Sequence, residues 1–184
     1  TRYIENWHRA YFPDSGPIAS HITLTFKGQN GKPDVELHWM DGGIQPTRPE
    51  ELGPNEVMGD GGNGAIFLGT KGKMMCGTYG INPQLLPTSR TKTTQVPQTI
   101  ARVPGGDEGH YAAWIEAAMA GYGSEKAKNL SSNFDIAGPL TESVLMGNLA
   151  IRSNDIQLKK GNDIEYPGRH IKLLWDGANM KITN

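Results

Sequence analysis

From Ile18 to Phe26 every second residue is apolar or small (Ile18, Ser20, Ile22, Leu24, Phe26), and between Tyr111 and Met119 the apolar residues recur at helical spacing. The two periods stay in separate parts of the chain. Strand-type patterns fall in two hairpin stretches within the first 80 residues, and helix-type spacing fills 106–151, with no alternating β-α-β units. Segregation of this kind predicts an α+β fold, an open and mainly antiparallel sheet with helices packed on one face.

The alternation at 16–27 and again through Val35, Leu37 and Trp39, separated by Gln29-Asn30-Gly31-Lys32, predicts an antiparallel hairpin with one wet face carrying His21 and His38. Residues 42–63 are rich in Gly, Pro, Glu and Asn and show no period, which predicts a long surface loop. A second hairpin is expected from 65–68 and 74–76 around Thr70-Lys71-Gly72-Lys73, and 80–105 has little pattern.

The first helix is expected after Pro104-Gly105-Gly106, with Asp107 and Glu108 in its first turn and Gly121 as its stop. Its expected inner face is Tyr111, Trp114, Ile115, Ala118 and Met119. A second helix is expected from about Pro139 through Ile151, apolar on most sides and therefore buried. Two short strands, 156–158 and 171–175, close the pattern.

Length and charge narrow the function. At 184 residues the chain suits one domain with a sizeable core, and its 18 basic and 19 acidic residues form no basic run, so nucleic acid is not an expected partner. The apolar runs fall far short of the roughly 20 residues of a membrane span. Cys76 is the only cysteine and has no metal-ligand spacing around it, so neither an internal disulfide nor a metal site is expected. A start without Met and an end directly after structured residues are what a piece of a longer protein would show.

Several motifs have a structural and a chemical reading. Gly59-Asp-Gly-Gly-Asn-Gly64 has the glycines of a phosphate loop but leads into a strand, where the dinucleotide fingerprint requires a helix. His110, beside Asp107 in a first helical turn, can hydrogen-bond a hydroxyl or move a proton, or can simply bind a loop carbonyl. Tyr79, Trp39 and Trp114 can stack on a sugar ring or belong to a core or interface. Asn133 and Asp135 can cap the second helix or meet a ligand. Asp41, Glu56 and Asp60 match no metal-ligand spacing. None of these makes a complete catalytic set.

Four blocks, in order, carry a family likeness: Ile66–Gly80; Gly106-Asp-Glu-Gly-His-Tyr-Ala-Ala-Trp-Ile-Glu-Ala117 with its preceding Pro104-Gly105; Ser132-Asn-Phe-Asp-Ile-Ala-Gly-Pro-Leu-Thr-Glu142 with its continuation to residue 150; and Leu174-Trp-Asp-Gly-Ala-Asn-Met-Lys-Ile-Thr-Asn184. Over residues 13–184 the chain resembles the C-terminal domain of Gfo/Idh/MocA-type sugar oxidoreductases. Residues 159–170 depart from the family pattern as an insertion.

The resemblance implies that 1–184 is a single substrate and oligomerisation domain. It implies as well an N-terminal Rossmann domain on the same parent chain that binds NAD or NADP, with no cofactor held by this chain itself. A sugar or glycoside is the implied substrate and a homo-oligomer the expected assembly, with both cytoplasm and periplasm open. The family's cofactor fingerprint and the lysine of its Glu-Lys-Pro motif belong to the nucleotide domain, and its Asp-x-x-x-His motif follows directly after. No catalytic lysine or histidine is therefore carried over, and the chain alone is expected to be inactive. The substrate-site candidates are Asp107, His110, Tyr111, Tyr79 and Asn133. An alternative of another class is a non-enzymatic carbohydrate-binding or self-association module.

Overall fold

A computed structural model describes residues 16–184, so the first three positions of the family-like stretch, 13–15, lie outside the described residues. The class is α+β, and the paired strands are antiparallel. The strands form four small sheets rather than one continuous sheet. The described residues divide into two compact units: 16–45 with 107–184, and Pro46–Gly106.

In the first unit, β1 (His21–Phe26) pairs with β2 (Val35–Met40). The register sets Ile22 opposite Trp39, Leu24 opposite Leu37 and Phe26 opposite Val35 on one face. Thr23 opposite His38 and Thr25 opposite Glu36 take the other face, as the alternation requires. Asn30 and Gly31, both at positive φ, make the tight turn between the strands. At the open end Asp41 accepts from the Ser20 N–H and hydroxyl and from the Trp39 indole. Gly42 follows at φ 63°, where a Cβ would lie 2.2 Å from the Ile18 carbonyl oxygen, so no side chain fits.

The second unit carries a three-stranded sheet of β3 (Ala65–Gly69), β4 (Gly72–Cys76) and β5 (Gln84–Leu86), then the short helix α1 (Ser89–Thr93). Leu52, Met75 and Leu86 form its core, with Met58 and Ile66 packed on it. Two expectations are corrected here. The stretch 42–63 is more than surface loop, because Leu52 is buried and Arg48 Nη2 donates to the Gly53 and Glu56 carbonyls at 2.6 and 2.7 Å. The stretch 80–105 contains β5 and α1, each too short to show a period.

Back in the first unit, α2 (Gly106–Ala120) starts where expected and ends at Gly121, whose N–H reaches the Ala117 and Ala118 carbonyls. Its expected inner face is corrected: Tyr111, Trp114, Ile115 and Met119 are exposed, and the buried residue is Ala117. Alanines stand on several sides of this helix, so spacing alone does not select the facing side.

After the one-turn α3 (Glu125–Lys128), the long helix α4 (Phe134–Asp155) starts ahead of Pro139. Asn133 caps it by accepting from the Ile136 N–H at 3.3 Å, and Pro139 lies inside its second turn. Helix α4 packs on β1, where a Cβ on Gly147 would stand 3.4 Å from the Ile22 side chain. Leu140, Val144 and Leu145 are exposed, which corrects the expectation of a buried helix.

The insertion-like stretch folds as a hairpin of β6 (Leu158–Lys160) and β7 (Asp163–Glu165), followed by Arg169, which lies over the Tyr166 ring. The final expected strand shrinks to β8 (Trp175–Asp176), paired with β9 (Lys181–Ile182). The Trp175 indole donates to Glu142 of α4 at 2.7 Å, which ties this last hairpin to the helix.

Candidate functional site

The second unit holds an open cleft of about 360 Å³ lined by Glu56, Val57, Gly59, Met75, Asn82, Gln84, Thr88, Thr91 and Lys92. Its walls follow from local structure. The turn Gly53–Glu56 closes when the Gly53 N–H donates to Glu56 Oε2 at 2.7 Å, which leaves Oε1 to accept from the Thr88 hydroxyl just before α1. Thr91 is fixed from α1 by accepting the Leu85 N–H at 2.8 Å. The buried Met75 of β4 supplies an apolar floor.

Electrostatics fix the protonation of Glu56. The Thr88 hydroxyl, the Gly53 N–H and the nearby Arg48 and Lys92 charges hold its carboxyl below the usual range. It is therefore an ionised acceptor at neutral pH. The cleft thus presents a carboxylate, the Lys92 ammonium and the amides of Asn82 and Gln84 around an apolar floor. Such a set hydrogen-bonds alternating donors and acceptors on a compact polar ligand.

Beside the cleft wall, Asp60 accepts from the Thr78 hydroxyl at 2.5 Å, the Thr78 N–H at 3.0 Å and the Asn63 N–H at 2.8 Å. These donors hold its carboxyl far below the ordinary value. Asp60 thereby pins the turn Thr78–Gly80, in which Tyr79 sits at φ 59° with a fully exposed ring. A bulky residue in that conformation is uncommon and carries strain. The sequence gives no sign of this backbone conformation.

The candidates read from sequence fall into both units. Tyr79 belongs to the second. In the first, Asp107 sits in the first turn of α2, and His110 and Tyr111 are ring neighbours at 6.2 Å with Tyr111 exposed. Asn133 is the cap of α4, which accounts for that residue structurally. His110 and Tyr111 are sequence neighbours within the first unit, and the cleft belongs to the second. Glu56, Asn82, Gln84 and Lys92 carry no sequence motif, because only the pairing of β5 and the placement of α1 gather them.

Asp41, Glu56 and Asp60 are each satisfied by neighbouring donors, and among the described residues no group of three or more His, Cys, Asp or Glu is placed to hold a metal. Asp34-Val-Glu-Leu-His38 also fits the letters Asp-x-x-x-His. Here Asp34 is engaged by Lys27 at 2.6 Å and the Gly28 N–H at 3.0 Å, so it clamps the hairpin loop. No helix among the described residues is long and apolar enough to cross a membrane. No protein-family model and no curated protein matches this chain.

Proposed function

We propose that this chain is the substrate-binding and assembly domain of an NAD(P)-dependent oxidoreductase acting on a sugar or glycoside hydroxyl. The observation that carries the reading is the cleft of the second unit: ionised Glu56, Lys92 and two amides over Met75 complement a hydroxyl-bearing ring. The family-like blocks and the α+β class support the same reading.

In this account the domain binds and orients, and the hydride chemistry belongs to a nicotinamide held by a Rossmann domain of the same parent chain. Hydride transfer needs that ring fixed against the substrate carbon. The exposed apolar residues Trp114, Ile115 and Met119 of α2 suit burial against another domain or a second copy. The test is nicotinamide content and sugar-dependent turnover of the protein made from the complete reading frame. Sugar binding by this chain without nicotinamide anywhere in the parent protein would favour the binding-module alternative.

A further inference from the structure

On the wet face of the β1–β2 hairpin, His21 Nε2 and His38 Nδ1 stand 3.2 Å apart, with the ring centroids at 5.4 Å. The register explains the approach: His38 lies directly opposite Thr23, which puts His21 diagonally across from it on the same face. Thr23 Oγ1 is 3.1 Å from the same His38 nitrogen. The other nitrogen of that ring, Nε2, is 3.6 Å from Glu36 Oε2. His21 and Thr23 also line a cleft of about 380 Å³ with Ser20, Asn154 and Asp155.

From this geometry we infer that His21 and His38 form a two-imidazole site for a borderline divalent transition ion such as Zn(II) or Ni(II) on the exposed face of the hairpin. Two nitrogens 3.2 Å apart, each about 2.0–2.1 Å from one ion, subtend roughly 100° there, between the octahedral and tetrahedral ideals. Sharing an ion requires the hydrogen bond between the rings to open, both lone pairs to turn toward one point, and Thr23 Oγ1 to give up His38 Nδ1. Glu36 Oε2, 3.6 Å from the other His38 nitrogen, places a negative charge beside the site without a hydrogen bond to the ring. Imidazole ligands favour Zn, Cu and Ni over Mg and Ca. With two protein ligands the remaining positions fall to water or to an added ligand oxygen, so the ion is expected to exchange readily and to present an open coordination site. The inference concerns the first unit and does not depend on the function proposed above.

The test is calorimetric titration of the full chain with Zn(II), Ni(II) and Mg(II), repeated on His21→Gln, His38→Gln, the double variant and Glu36→Gln. Single-ion binding of Zn(II) and Ni(II) without Mg(II) is expected, lost in the double variant, and weakened by less than about tenfold by Glu36→Gln, which removes only a nearby charge. Cross-strand proximity of Leu24 and Leu37 by NMR verifies that each variant keeps the hairpin. With Cu(II) as a paramagnetic probe, line broadening should centre on the His21 and His38 rings. Absence of binding, equal binding by the double variant, or equal affinity for Mg(II) would overturn the inference and leave the pair as a hydrogen bond only.

Discussion

Asp41 accepts two hydrogen bonds from Ser20, one from its N–H at 2.6 Å and one from its hydroxyl at 2.9 Å, and so locks the open end of the β1–β2 hairpin. The Trp39 indole adds a third donor at 2.8 Å. Led by Trp39 and then Ser20, these donors hold the Asp41 carboxyl below its ordinary value.

The pH consequence has a definite sign. A depressed folded-state value contributes stability that is fully present above the unfolded value of about 4 and is lost as pH falls through the folded value. Asp41→Asn is expected to lower the urea midpoint and the hydrogen-exchange protection of the Ser20 amide at pH 7, with a smaller difference from wild type at pH 3. An equal difference at both pH values would contradict the clamp.

Core truncation distinguishes true core from surface. Leu86 is 2% exposed, so Leu86→Ala should cost about 3 kcal/mol in urea unfolding. Leu140 of α4 is 62% exposed, and Leu140→Ala should stay within about 1 kcal/mol. The reverse order would mean that α4 is buried as its composition suggests.

Much of the fold is legible in the sequence where a period is long enough to read. The alternation appears as a strand over 21–26, short of its expected start near residue 16, and the Asn30-Gly31 turn and the start and stop of α2 appear as the residues imply. The facing side of α2 is not legible, since alanines on several sides leave its packing to tertiary contacts. Nor is the start of α4, where Pro139 looks like a first-turn residue although Asn133 supplies the cap. Tyr79 can be named from its aromatic ring but does not line the cleft, whereas Glu56 and Lys92 meet only through the fold of residues 53–92. Likewise the His21–His38 approach depends on register, which spacing along one strand does not reveal.

The cleft makes a prediction that separates binding from folding. Glu56→Gln keeps the shape but removes the charge, and Lys92→Met removes the ammonium; each should weaken binding of a monosaccharide by roughly tenfold, read from NMR titration of the chain. Tyr79→Gly relieves the left-handed backbone while deleting an exposed ring outside the cleft lining, so stability should change by less than about 1 kcal/mol and sugar affinity should hold. Unchanged affinity in both cleft variants would remove the cleft from the account.

Association should depend on the uncovered face of α2. Self-association of the chain is expected in light scattering at high concentration, and Trp114→Glu with Met119→Glu should shift it to monomer. A monomeric wild-type chain at the same concentration would contradict this.

The most direct measurement is made on the protein from the complete reading frame: bound nicotinamide by absorbance and mass spectrometry, then turnover across a panel of sugars and glycosides. The account predicts copurifying NAD(H) or NADP(H) and a sugar-dependent change in nicotinamide absorbance, reduced by Glu56→Gln. A protein with no nicotinamide and no turnover, whose isolated chain still binds glycans, would contradict the oxidoreductase reading.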